Sequence, residues 1–278
     1  MKATDIIART VGARADQETL QWVDSTHMKQ YRILSFAGIA GCFACIGGSF
    51  VALPLFVQIS GLAVGAVCIV LRSMARKNFE EAIASSLDMQ CDPALYCRRT
   101  LAFLAGGRPA GDFMRGVWEY AYGLLWQGKW DEAIKLMRTL EPYADMPDVA
   151  YAYDSFMADC AFALRDPDKL RNYIDAMKAI SQRRVAREAH LHAAELEPLH
   201  ELLVCERDGH RERALGIADA ILADTGLLPI ERVTASLHKA ECTADRDEKR
   251  ALLTFVERNG GSTWCAARAR TLLRELEA

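Results

Sequence analysis

The sequence predicts an all-α protein: a two-helix transmembrane hairpin followed by an α-solenoid of antiparallel helix pairs. Three observations predict it. Ile33 to Leu71 is a run of 39 residues without one Asp, Glu, Lys or Arg. After Ala75, apolar residues recur at the three- and four-residue spacing of helices, with no alternating β-branched stretch. Short breakers divide this region, and its middle blocks recur at roughly 35–40 residues, an interval of helical solenoids.

The charge-free run is too long for one membrane helix and suits two. One span needs roughly 20 apolar residues, and two joined by a tight turn need roughly 40. Gly47-Gly48-Ser49 and Pro54 are the breakers nearest its middle, so spans are predicted at Tyr31 to Phe50 and Pro54 to Met74. Lys29 and Arg32 precede the first span, and Arg72, Arg76 and Lys77 follow the second. Cytoplasmic flanks are enriched in Lys and Arg, so both termini are expected in the cytoplasm, in a multi-pass protein of the inner (cytoplasmic) membrane. A cleaved secretory signal does not fit, because Asp5, Asp16, Glu18 and Asp24 all precede the run. The expected organisation is a cytoplasmic N-terminal arm over 1–30, the hairpin over 31–74, and a cytoplasmic helical-repeat domain over 75–278.

The chain is 51% hydrophobic and 26% charged, with a net charge of −3, which excludes a disordered chain and the strongly basic footprint of a nucleic-acid binder. Nine cysteines at irregular spacing argue for a reducing compartment rather than a disulfide framework. Cys42-Phe43-Ala44-Cys45 spells CxxC, but inside a predicted span it reads as two small packing residues.

In the arm, Ile6, Ile7, Val11, Leu20, Trp22 and Val23 are scattered among mixed charges. Two readings stand: a helix from about Gln17 to Arg32 running into the first span, or a partly ordered arm. Trp22 and Tyr31 are placed at the membrane interface, where amphipathic aromatics collect.

Beyond the hairpin, the helical faces are Ala133, Ile134, Met137 and Leu140; Leu170, Tyr173, Ile174, Met177 and Ile180; Ala214, Leu215, Ala218, Ile221 and Leu222; and Ala251, Leu252, Phe255 and Val256. Breakers separate them at Gly106-Gly107-Arg108-Pro109, Gly128, Pro142, Pro147, Asp166-Pro167-Asp168, Asp208-Gly209, Gly226 with Pro229, and Asn259-Gly260-Gly261. The blocks fall at about 78–105, 112–141, 148–181, 184–223 and 229–258, with a last helix at about 262–277. Loops this short force successive helices into antiparallel contact.

The second block, Glu119 to Pro142 (EYAYGLLWQGKWDEAIKLMRTLEP), resembles a tetratricopeptide repeat. Ala121 and Leu124 match its small and large first-helix positions, Gly128 and Trp130 its turn, and Ala133 and Met137 its second helix. Leu140 and Pro142 depart from the pattern. Elsewhere the match is diffuse: Gly209, Ala214 and Ala218 echo a repeat, while Leu202 takes a small-residue place and Glu197-Pro198 is expected to interrupt its helix. The resemblance implies stacked helix pairs with a concave surface.

No catalytic constellation emerges. His190, His192 and His200 lie close in sequence, and Glu188, His192 and Glu195 share a helical face, but HExxH, GxSxG, Walker and GxGxxG patterns are absent. Neither metal nor cofactor is expected. Aromatic residues concentrate between Phe113 and Tyr153; most are assigned to core, with Tyr120 or Tyr151 lining a concave surface. The candidate partner-binding residues are therefore Tyr120, Tyr151, His192 and Glu195.

Two function classes fit. The first is a membrane-anchored protein–protein interaction scaffold at the cytoplasmic face, binding an unknown protein or peptide partner, and not an enzyme. The alternative is a small-molecule sensor or enzyme with a polar pocket between helices. A homo-oligomer through the hairpin is a further expectation, because Gly61-x3-Gly65 allows close helix approach; packing of the two spans on each other uses the same glycines.

Overall fold

The computed structural model describes residues 2–25, 29–50, 55–106 and 113–277. Among the described residues there are fourteen α-helices and no strand. In order they are α1 (Ala3–Val11), α2 (Gln17–Val23), α3 (Lys29–Phe50), α4 (Leu55–Asp88), α5 (Pro93–Ala105), α6 (Phe113–Trp126) and α7 (Trp130–Met137), the last followed by a 3-10 segment, Arg138–Tyr143. Then come α8 (Pro147–Ala163), α9 (Pro167–Ala179), α10 (Arg183–Asp208), α11 (Arg211–Leu222), α12 (Pro229–Cys242), α13 (Arg246–Asn259) and α14 (Trp264–Glu277).

The sequence breakers act where their chemistry requires. Asp92 and Asp166 each accept a backbone N–H, from Leu95 and Lys169, at 3.0 Å, and a proline begins the helix that follows. An N-cap carboxylate satisfies an amide that has no intrahelical partner, and proline at the first position has no such amide to lose. Gly209 ends α10 at φ 77°, a conformation that costs other residues steric strain. Pro142 lies in the 3-10 segment after α7, so that helix stops early. Pro198 does not interrupt its helix: α10 runs unbroken from Arg183 to Asp208. Proline removes one internal hydrogen bond, and the burial of Ala189, Ala193, Leu196, Leu202 and Leu203 on both sides of it offsets that loss.

From α5 onward each helix packs on the next, giving sequence-adjacent antiparallel pairs. Ala121 and Ala133 of the repeat-like segment are fully buried, together with Leu124, Leu136 and Met137. The stack closes on itself. Phe79, Ile83, Leu87, Tyr96 and Phe103 of α4 and α5 share one core with Ile230, Val233, Leu237, Val256 and Leu272 of α12–α14. Ser262 seals the junction, donating its backbone N–H to the Cys91 carbonyl at 3.1 Å and its hydroxyl to Asp92 at 2.9 Å.

The segment preceding α3 belongs to the same body. Ile6 and Ile7 of α1 are buried in the core of α5–α8, and Val23 of α2 is buried beside Phe79. Trp22, expected at a membrane interface, packs on α4 and α5. Its ring lies 5.2 Å from Phe79, with the Arg99 guanidinium 4.4 Å above it, so packing and cation–π attraction hold it on α4 and α5. The α-helical part of α2 ends at Val23 and Asp24 and Ser25 continue as π-helix; residues 26–28, on which its continuity with α3 depends, and the Tyr31 side chain lie outside the described residues.

α3 and α4 form a hairpin. Gly38 and Gly41 face Cys68, Gly65 and Gly61, so the two backbones run antiparallel in close contact. Gly47 and Gly48 sit within α3, and residues 51–54, with Pro54, lie outside the described residues. Intrahelical hydrogen bonds and an apolar exterior let α3 absorb those glycines. Among the described residues α4 is the one helix long and apolar enough to cross a membrane; the shorter apolar stretch of α3 is Arg32–Phe43. α4 does not stop near Met74. Its 34 residues, about 50 Å of helix, carry it into the body, where Phe79, Ile83 and Leu87 are buried. Phe36, Ile39, Phe43, Phe56, Leu62, Val67 and Val70 are all exposed on the hairpin surface.

Candidate binding groove

Four alternate helices, α6, α8, α10 and α12, surround a cavity of about 1080 Å³, while their partners α7, α9 and α13 stand outside it. α6 contributes Trp118, Tyr122 and Trp126, spaced one turn apart on one face. Trp118 and Tyr122 stack with ring centroids 5.4 Å apart, and Trp126 meets Tyr122 edge-on at 6.3 Å. The indole Nε1 of Trp118 is buried without a hydrogen-bond partner. Opposite this aromatic wall, α8 presents Asp148, Tyr151 and Asp159, and α10 presents Glu188, His192 and Glu195. The rim of α12 adds Glu231, Thr234 and His238.

The charge of the groove is one-sided. Six carboxylates line it: Asp148, Asp159, Glu188, Glu195, Asp224 and Glu231. Asp224 and Glu231 accept backbone N–H groups of Gly226 and Leu228, both at 2.8 Å. Asp148, Asp159, Glu188 and Glu195 carry no ion pair among the described residues. Arg115 is the one Arg or Lys among the described lining residues, and its guanidinium is already paired with Glu119 at 2.8 Å and Glu80 at 3.2 Å.

Asp159 stands apart from the other acids. It projects from the otherwise apolar stretch Phe156–Ala163, and burial pushes its carboxyl up to about 7. Tyr122 is raised too, first by burial and then by the charge of Asp159. His192 bonds the Tyr151 hydroxyl through Nδ1 at 3.4 Å, and burial holds it below the usual histidine range, hence neutral at pH 7.

His238 is fully buried, and its ring tilts onto Phe162 at 4.9 Å. Nδ1 lies 2.9 Å from Glu206 Oε1, while Nε2 has no partner. Burial would raise the Glu206 carboxyl, but the bond and charge of His238 and the charge of Arg165 hold it below the usual range. Arg165, in a left-handed turn at φ 57°, spans Glu206 and Glu241, and Arg268 binds Glu241 at 3.0 Å. This network ties the α8–α9 turn to α10, α12 and α14, and it fixes the His238 ring plane.

Of the four residues singled out from sequence, Tyr151, His192 and Glu195 come together in the groove. Tyr120 does not. It is 7% exposed and packs in the core with Ala121 and Cys97, because two residues' steps along α6 turn it about 200° from the Trp118–Tyr122 face. His190 and His200 face other partners, the Ile180 carbonyl at 3.1 Å and Arg171 at 2.9 Å. Among the described residues no three His, Cys, Asp or Glu side chains converge as a metal site. Sequence reasoning missed Asp159 and His238. A lone acid in an apolar helix was the available signal for the first; the second had none, since its partner Glu206 lies 32 residues away.

No family model, curated protein or solved structure matches this chain.

Proposed function

We propose that the protein is a membrane-anchored docking module that holds a segment of a partner protein in the groove between α6, α8, α10 and α12, at the cytoplasmic face of the membrane. The observation that carries this reading is the groove itself: about 1080 Å³, walled by stacked aromatics and by carboxylates without counter-ions. Helix-repeat proteins use concave surfaces of this kind for extended segments, and unpaired carboxylates beside Trp and Tyr are costly unless a partner uses them.

The anchor is α3 with α4. Its exposed apolar side chains support membrane insertion, and the packing of α1 and α2 on α5–α7 supports an even number of crossings, since both ends of the hairpin leave one folded body. Lys29, Arg32, Arg72, Arg76 and Lys77 at that end favour the cytoplasmic side. The glycines of both helices face each other, which favours an anchor over an oligomerisation face.

The test is site-specific photocrosslinking in intact membranes. A crosslinker replacing Glu195, inside the groove, is expected to capture one discrete protein, while one at Asp175 on the outer helix α9 does not. Equal labelling from both sites overturns groove docking. A purified full chain carrying a stoichiometric metabolite establishes the alternative, a small-molecule sensor or enzyme. Release of the protein from membranes by salt or carbonate without detergent removes the anchor.

A further inference from the structure

We infer that the docked segment is basic, and that it places a lysine or arginine side chain between the Trp118–Tyr122 wall and Asp159. The inference rests on the docking reading above and adds the chemistry of what is docked.

The groove asks for hydrogen-bond donors and positive charge. Asp159 is an acceptor with no hydrogen bond and no ion pair among the described residues. Burial is what raises its carboxyl. Asp148, Glu188 and Glu195 extend the same sign along α8 and α10, and the one lining guanidinium is engaged elsewhere.

An independent observation comes from α12. His238 is 0% exposed, and its Nε2 reaches no partner while the ring lines the groove. Nδ1 donates to the Glu206 carboxylate at 2.9 Å, so the hydrogen-bonding capacity of Nε2 is left to whatever occupies the groove. Asp159 and His238 Nε2 are thus both polar groups of the groove wall without a partner among the described residues. The aromatic faces of Trp118 and Tyr122 attract a cation electrostatically, which an anionic or neutral side chain would not exploit.

The same groove argues for a peptide rather than a free amine. The Trp118 indole N–H is buried without an acceptor, and a peptide carbonyl supplies one. The spread of carboxylates over α8 and α10 also exceeds the reach of one ammonium group.

The experiment uses the full chain in detergent micelles and fluorescein-labelled hexa-arginine, with hexaglutamine as the neutral control, at about 150 mM salt, where surface attraction is screened within about 8 Å. Hexa-arginine is expected to bind and hexaglutamine not. Asp159→Asn is expected to weaken binding about tenfold or more, the scale of one charge-assisted hydrogen bond. Trp118→Leu is expected to weaken it severalfold. Asp247→Asn, on the fully exposed start of α13, is expected to leave it unchanged. Asp159→Asn relieves an unpaired buried charge, so its melting temperature should not fall, and lost binding then cannot be attributed to unfolding.

Equal affinity of wild type and Asp159→Asn overturns the inference, as does failure of hexa-arginine to bind. If crosslinks from Glu195 persist in either case, docking stands and its cationic chemistry falls; if they are absent as well, both fall. Free argininamide binding as tightly as the peptide reassigns the site to a small amine and overturns the peptide assignment.

Discussion

Gly41 and Gly61 bring α3 and α4 so close that a Cβ on Gly41 would lie 2.8 Å from the Gly61 carbonyl oxygen and 3.0 Å from the Gly65 amide nitrogen. Both obstacles are backbone, so no side chain can swing away. Gly41→Leu is therefore expected to force the helices apart, at a cost on the scale of overpacking, about 1–3 kcal/mol. Gly65→Cys provides the readout: its Cβ position lies 3.3 Å from Cys42 Sγ, so oxidation should crosslink the two helices within one chain. Gly41→Leu should lower that yield. Disulfide-linked dimers on a gel would show instead that this face joins two copies.

Because α1 and α2 pack on helices that follow the hairpin, the sequence order of the segments misleads about what can be removed. A chain beginning at Arg76 loses the buried Ile6, Ile7 and Val23. It is expected to be destabilised by several kcal/mol, since each such side chain contributes about 1.5–3 kcal/mol. Excising 30–74 keeps them. Packed helices stand about 8–10 Å apart, so a Gly/Ser linker of about six residues spans the gap. The excised protein is expected to be soluble without detergent and to melt well above the truncated one; the reverse order would sink the packing argument.

Glycines at the α5–α6 crossing and on α11 separate packing from propensity. A Cβ on Gly123 would sit 2.4 Å from Cys97 Sγ and 2.8 Å from Tyr96 Cδ1, whereas one on Gly216 meets nothing within 4 Å. Alanine gains about 1 kcal/mol of helix propensity at either site. Gly216→Ala is expected to gain most of that. Gly123→Ala is expected to lose about 1–2 kcal/mol net, because the clash outweighs the gain. Thermal or denaturant unfolding of the pair in one detergent checks the sign.

Asp159 makes stability depend on pH in a direction opposite to most paired acids. Its folded carboxyl is raised from 3.8 to about 7, so between those values the folded state holds a proton that the unfolded state has released. Stability from this group is fully present below about pH 4, falls as pH rises towards 7, and is flat above it. Asp159→Asn removes that slope and is expected to exceed wild type by about 4 kcal/mol at pH 8, with little difference at pH 4. Unfolding at both pH values measures it. A carboxylate that costs stability and is needed for the basic segment is the trade expected of a binding residue.

The helices were legible because their signals are local. Asp92-Pro93, Asp166-Pro167 and Asp208-Gly209 mark starts and stops through bonds made within a turn, and the blocks they delimit fall within a few residues of α5–α14. The groove was legible only in part. Tyr151, His192 and Glu195 shared helical spacing with other polar residues, but Tyr120 and Trp118 are two positions apart on one helix, and nothing local says which of them faces the groove. Pro198 misled for a related reason: a lost hydrogen bond is local, while the packing that outweighs it is not.

By itself, then, the sequence determined the all-helical class, the pairing of neighbours through short loops, and the apolar hairpin. Periodicity, capping and uninterrupted apolar length are properties of contiguous residues. Tertiary structure alone decided that α1 and α2 join the body, that α12–α14 return against α4 and α5, and that Asp159 and His238 face one cavity. Each of these depends on residues distant in sequence meeting across the closed stack, and the physical state of a carboxylate or imidazole follows from those neighbours rather than from its own place in the chain.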